Sequence, residues 1–176
     1  HPAWHPTLYV VQLANRALQQ AWQWWRTILT LVANGDGENS SVGGTDSSAT
    51  VTRNTTAAYV WQGAASVRVA NTGANGYHQY ATMDAAYSRN FRVGAWVRIA
   101  SGSAVIQMID VSNSNAVIES KTITGVGQWH YVEMSDSFPA TCYQCAIRVG
   151  GSQATADTYW DDVFTIENNL DDFLDD

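Results

Sequence analysis

The sequence predicts a mainly β chain, an antiparallel sandwich or barrel, preceded by one long N-terminal α-helix. Two observations carry this. The hydrophobic pattern has helical spacing up to Gly35 and alternates with period two beyond it. After Gly35 the chain breaks into about nine short β-rich runs separated by Gly, Ser, Asn and Asp clusters. Composition agrees. Of 176 residues 45% are hydrophobic, enough for a packed core, while only 14% are charged, well below the usual quarter. Uncharged Asn, Gln, Ser and Thr supply the missing polarity, a profile that suits secreted, cell-surface or virion β-proteins.

The first element is the helix, over residues 1–33. Pro2 and Pro6 hold the opening "HPAWHPT" extended, and Thr7 can cap the helix. Val11, Ala14, Leu18, Ala21, Trp25, Ile28 and Val32 then recur in alternating steps of three and four, a three-heptad seam. Val10, Leu13, Ala17, Trp24 and Leu31 widen the stripe on one side, and Trp22 and Leu29 on the other. The stretch "AWQWWR" puts three of the eight tryptophans in six residues. So much aromatic surface on one helix is more than a soluble monomer leaves bare. The expectation is an assembly interface through Val11, Leu18, Trp22, Trp24, Trp25 and Ile28, joining copies of the chain or a neighbouring subunit. The helix is not a membrane span. Gln12, Asn15, Arg16, Gln19, Gln20, Gln23 and Arg26 interrupt the roughly 20 apolar residues a bilayer needs.

The β elements come next, over residues 34–168. The candidate strands are "SATVTRN", "SVRVAN", "GYHQYATM", "FRVGAWVRIA", "AVIQMIDVS", "AVIESKTI", "QWHYVEMS", "CAIRVG" and "TYWDDVFTI". In the fourth, Phe91, Val93, Ala95, Val97 and Ile99 share one face, and Arg92, Trp96 and Arg98 share the other. One face of that strand is therefore buried and the other at least partly polar. Cys142 and Cys145 lie in "TCYQC". A lone C-x-x-C lacks the further ligands of a zinc site, which leaves a local disulfide or two ordinary thiols. The last element, residues 169–176, closes an acidic region. Half of the sixteen acidic residues fall between Asp157 and Asp176. This tail is a solvated end, a docking segment or part of a cation site. With a net charge of -7 and a pI of about 4.8, the chain has no basic footprint for nucleic acid.

Several of these pieces occur in a familiar order. "NGDGE" at 34–38 opens the β region. After it come "ATVTRNTTAAYVWQGAASVRVA", "FRVGAWVRIASGS", "VGQWHYVEMS" and "CAIRVGG", with "TYWDDVFTIE" near the end. Together they resemble the jelly-roll carbohydrate-binding modules attached to xylanases and other glycan-active enzymes, a pattern shared by phage tail and virion domains. The resemblance spans roughly Val32 to Asn168. It departs at Gly37, where the family usually has a bulky aromatic, and in "NSSVGGTDSS", which lacks a Trp often found there.

The resemblance implies a jelly-roll sandwich and a structural calcium (Ca2+) held by Glu38, Asp161 and Asp162. Calcium takes several oxygen ligands, carboxylates among them. Adjacent Asp161 and Asp162 on a strand would point to opposite faces, so one of the pair could enter a given site. Sugar binding needs flat aromatics to stack on ring faces and polar partners for hydroxyls. Trp96, Arg98, Tyr77 and His78 are the expected carbohydrate-binding residues, with Tyr80, Trp61 and Trp129 as further candidates. Trp129 in "GQWHY" reads more readily as core. For catalysis the sequence offers little. His78 and His130 are the two histidines of the β region, Glu119 and Glu133 could be posed as a glycosidase pair, and no G-x-S-x-G or H-E-x-x-H pattern occurs. Asn39 and Asn54 begin Asn-x-Ser/Thr patterns that matter only in a glycosylating host.

The reading is a non-enzymatic structural or attachment protein of a larger assembly: a phage virion component with a carbohydrate-binding-like head. Its expected partners are neighbouring subunits, further copies of itself through the helix, and glycan. The expected location is the virion surface or the extracellular space. The alternative is a carbohydrate-binding module of a secreted polysaccharide hydrolase, and a glycosidase is the third reading. The helix separates the first two, because a module joined to an enzyme usually has a Ser/Thr/Pro-rich linker.

Overall fold

Period-two alternation forces each strand to present one apolar face, and two such faces must cover each other. The computed structural model, which describes residues 32, 34–39, 42–85 and 90–167, shows that arrangement. The strands are β1 (Thr45–Ser47), β2 (Ala49–Asn54), β3 (Ser66–Asn71), β4 (Tyr77–Gln79), β5 (Met83–Asp84), β6 (Asn90–Ser101), β7 (Ala104–Asp110), β8 (Ala116–Ile123), β9 (Trp129–Ser137), β10 (Gln144–Gly151) and β11 (Asp157–Glu167). They form two antiparallel sheets. The first has the order β1-β4-β10-β7-β8, with β5 also on β10; the second has the order β2-β3-β11-β6-β9. The chain crosses repeatedly from one sheet to the other, as in double-sheet jelly rolls.

The helix expected over residues 1–33, with Val11, Leu18, Trp22, Trp24, Trp25 and Ile28, lies outside the described residues apart from Val32, and so does the acidic tail over 169–176. Contacts divide the chain into His1–Thr30 and Leu31–Asp176, and every described residue falls in the second unit. Val32, the last position of the expected helical seam, is buried in the core of the sandwich.

The expected strands form with two differences. "GYHQYATM" is two short strands, β4 and β5, set one after the other along β10. Between them the Tyr80 N–H still reaches the Ile147 carbonyl at 3.0 Å. β1 is too short and too polar ("TDS") to show a period. The inner face of β6 is as the alternation requires: Phe91, Val93, Ala95, Val97 and Ile99 are all buried. Ile106, Met108, Ile147 and Val149 of the first sheet face them across the core. Trp160 is the largest fully buried side chain, and its indole N–H donates to Thr158 Oγ1 at 2.9 Å. Cys142 and Cys145 are both buried, unbridged thiols. Burial pushes the Cys142 thiol up to about 11 and the Cys145 thiol up to about 12, so neither is a thiolate at neutral pH.

Because Trp160 has no exposed surface to lose, Trp160→Ala should cost about 3–5 kcal/mol of stability. A urea unfolding curve measures this, and a midpoint unchanged from wild type would contradict the packing described.

Candidate functional site

Alternation places one set of side chains on the outer face of the second sheet. β6 contributes Arg92, Trp96 and Arg98, β9 contributes Trp129, Tyr131 and Glu133, and β11 contributes Asp157, Tyr159 and Asp161. The register aligns them: Trp96 lies between Asp161 and Tyr131, and Arg98 between Tyr159 and Trp129. A sheet face with so many rings is not left open. The segment after β2, a 3-10 turn at Ala57–Tyr59 followed by Val60–Ala65, folds over it. Tyr59 stacks on Tyr159 with centroids 4.2 Å apart, and Trp61 stacks on Trp96 at 3.8 Å with planes 19° apart. Trp129 is tilted 5.8 Å from Trp61, and Tyr131 lies 5.3 Å from Trp96. Trp61 and Tyr131 remain 43% and 46% exposed. The result is a solvent-facing aromatic surface whose inner layer is fixed by the sheet.

Two carboxylates hold the covering loop. Asp161 is fully buried, and its Oδ2 accepts the backbone N–H groups of Trp61 at 2.9 Å and Gln62 at 3.1 Å. Its Oδ1 accepts the Asp162 N–H at 2.8 Å. Glu38 Oε1 accepts the N–H groups of Ala64 at 2.7 Å and Ala65 at 3.1 Å. Gly63, at φ +78, lies so close to Glu38 Oε1 that any side chain there would collide with it. Arg53 completes the strap by donating from Nε to the Gly37 carbonyl at 2.9 Å. The gap in register between Asp161 and Phe164 is a β-bulge, with Asp162 at φ 53. The bulge separates the two aspartates: Asp161 is buried beneath the loop, and Asp162 is half-buried.

The three residues expected to hold calcium thus gather near one loop, but Glu38 and Asp161 already accept backbone N–H groups. Among the described residues no group of three or more His, Cys, Asp or Glu side chains is arranged to hold a metal ion. Of the expected sugar-binding residues, Trp96 and Arg98 share the aromatic face. Tyr77 and His78 do not; both are on β4 of the other sheet. His78 is fully buried, with Nδ1 2.7 Å from Asp46 Oδ1, so it cannot reach a ligand. Tyr80 is also core. Trp129, read from sequence as core, is half-buried on the outer face, because Val132 and Met134 take the inward register of β9. Tyr131, Tyr59 and Tyr159 carry no distinguishing mark in the sequence, although period-two counting from Trp129 finds Tyr131.

Charge on the face is mostly paired. Arg92 donates to Glu133 at 2.6 Å, Tyr131 donates to the same carboxylate at 2.5 Å, and Arg68 forks onto Asp157 at 2.9 and 2.8 Å. The hydrogen bond from Arg92 holds the Glu133 carboxyl below its ordinary range. Glu119, its expected catalytic partner, stands on β8 of the first sheet with its carboxyl raised by burial. Arg98 lies 5.3 Å over the Tyr59 ring, and its buried Nε has no hydrogen-bond partner.

No family model matches this sequence, and no curated protein matches it. Solved structures do match. The CBM22-1 xylan-binding domain from Paenibacillus barcinonensis Xyn10C superposes with a TM-score of 0.56 at 14% identity, over 75% of this chain and 90% of that one. The carbohydrate-binding module TmCBM61, solved in complex with β-1,4-galactotriose, gives 0.56 at 14% identity, over 79% of this chain and 99% of that one. The enzymatically active domain of bacteriophage CBA120 tailspike protein 4 gives 0.58 at 18% identity over 79% of this chain, which spans only 21% of the tailspike chain. The fold is therefore the jelly roll of carbohydrate-binding modules.

Burial raises the Asp161 carboxyl from 3.8 to about 7, although the N–H groups of Gln62, Trp61 and Asp162 favour its ionised form. An acid whose folded value is raised stabilises the fold in its protonated form. That contribution is complete below about 3.8 and is lost as pH rises through about 7. Wild type should therefore lose stability relative to Asp161→Asn between pH 4 and 7, and no further above pH 8. Chemical denaturation across this range checks it, and a pH-independent difference would contradict it.

Proposed function

We propose that this chain is a non-catalytic glycan-binding module that attaches a larger assembly to a polysaccharide. The observation that carries the reading is the exposed Trp61 ring stacked on Trp96, with Trp129 and Tyr131 beside it. Sugar rings bind through their apolar faces to flat aromatics, with charged and amide groups around them for the hydroxyls. The paired Arg92–Glu133 and Arg68–Asp157 groups supply such a rim. The similar structures solved with galactotriose or named as xylan-binding support the ligand class. An extracellular or virion-surface location suits a polysaccharide ligand, and among the described residues no helix is long and apolar enough to cross a membrane.

Attachment within a virion and membership of a secreted hydrolase differ in what the first 33 residues do. The tailspike likeness, in which the fold is one part of a longer chain, supports the virion setting. In that setting the Trp22, Trp24 and Trp25 segment joins subunits, and deleting residues 1–30, which spares the core residue Val32, converts an oligomer into a monomeric β domain. Light scattering separates the outcomes, since a full-length monomer would favour the hydrolase setting. Calcium at Glu38, Asp161 and Asp162 is a further proposal. A lower Tm on chelation that Glu38→Gln abolishes would support it, and an unchanged Tm would remove it.

The central test is Trp61→Ala. Its side chain is at a loop tip, so the fold should survive with Tm within a few degrees of wild type. Binding to xylan or galactan in affinity electrophoresis should weaken about tenfold, the equivalent of about 1.4 kcal/mol. Unchanged retardation by every polysaccharide that retards wild type would overturn the proposal.

A further inference from the structure

A sheet edge carries unpaired backbone N–H and C=O groups, which folded proteins either blunt or pair. The first sheet has two edges. β1, on one side, is three residues long, and β8, on the other, is eight. β8 pairs with β7 and with no other described strand. Along it Ala116, Val117, Ser120, Lys121 and Thr122 are exposed, and Val117 keeps 51% of its surface in solvent. From Glu119 to Ile123 its register with β7 is regular, and a bulge sets Ile118 out of step.

Two charges on this edge lack a charged partner. Glu119 and Lys121 stand opposite the core residues Met108 and Ile106, on the side of the strand that faces the second sheet. Glu119 Oε2 is buried without a hydrogen bond; burial raises this carboxyl, and the nearby Asp136 raises it further. Lys121, the single lysine of the chain, donates to the Glu133 carbonyl at 2.7 Å and retains two of its three N–H donors. Neighbours on one side of one strand, Glu119 and Lys121 form no ion pair with each other or with any other described residue.

The edge is complementary to itself. In an antiparallel pair of two β8 strands with a two-fold axis at Ser120, Glu119 of each copy stands opposite Lys121 of the other. Beyond them, Ile118 and exposed Val117 of each copy run alongside Thr122 and Ile123 of the other. Opposite charges directly across a strand pair attract, and like charges there repel. Moving the axis to Glu119 or to Lys121 would set that residue against its own copy. The charges therefore select one register, and they select it for a second copy rather than for an unrelated strand.

We infer that β8 is an interface between two copies of this chain, paired edge to edge and antiparallel about Ser120, so that their first sheets run on as one. It uses neither residues 1–33 nor the Trp61 face.

The test is site-specific cross-linking of the full chain. Ser120→Cys treated with a short bis-maleimide should give a cross-linked dimer, while native Cys142 and Cys145 are buried, raised thiols and react slowly. Thr50→Cys, exposed on the β2 edge of the second sheet, should not cross-link. In the Ser120→Cys background, Glu119→Lys or Lys121→Glu sets like charges opposite one another at two symmetric places. Each should lower the yield about tenfold, and the two together, which restore opposite charges, should recover it. Residues 1–33 are unchanged in every variant, so association through them cannot produce this pattern. Circular dichroism shows which variants are folded. Four results would each overturn the inference: no dimer through Ser120→Cys, equal cross-linking through Thr50→Cys, folded single reversals without effect, or a folded double variant that fails to recover.

Discussion

The aromatic face depends on one buried carboxylate. Asp161 sits beneath the loop and accepts the N–H groups of Trp61 and Gln62 directly, while Asn54 and Ser66 on the neighbouring strands donate to the Tyr59 carbonyl. A buried acid is costly unless its oxygens are satisfied. The β-bulge follows directly on Asp161, which is buried under the loop, while its neighbour Asp162 is half-buried. Glu38 repeats the arrangement three residues along, at Ala64 and Ala65. The loop is thereby fixed through its backbone, and its side chains are free to be chosen for what they touch outside.

The two outer faces show what the same sandwich can carry. The second sheet presents rings in two layers, the lower one set by strand register and the upper one by the loop. The first presents the Arg148 guanidinium seated over the Tyr77 ring. Neither face draws on the core, where Phe91, Ile106, Ile147 and Trp160 are packed without exposure that a ligand could use. Substitutions on the faces can therefore change binding at little cost to the fold, and core substitutions do the reverse.

Much of the architecture is legible because the strands alternate cleanly. Counting by twos along "FRVGAWVRIA" separates Phe91 and Val93 from Trp96 and Arg98, and the structure puts them on those faces. The sheet assignment is not legible. Tyr77 and His78 group with Trp96 on residue type alone, yet they belong to the opposite sheet, because pairing partners are set by tertiary contacts between distant segments. His78 is aromatic and polar like a sugar-binding residue, but the short β4 turns it inward onto Asp46. The strap is hidden for a related reason. Glu38 and Asp161 read as metal ligands, and only the position of the Trp61–Ala65 backbone reveals them as acceptors of N–H groups. Tyr59 and Trp61 come to the site from a loop, where no period marks which side chains face in.

The claim that the stacked aromatic face is where glycan docks is tested most directly at the indole groups themselves. Indole N–H resonances of the 15N-labelled chain, followed during addition of a bound oligosaccharide, report each tryptophan separately. Shifts are expected at Trp61 and Trp129 while buried Trp160 stays unmoved. Glycan binding by the chain with no change at Trp61 and Trp129 would contradict it.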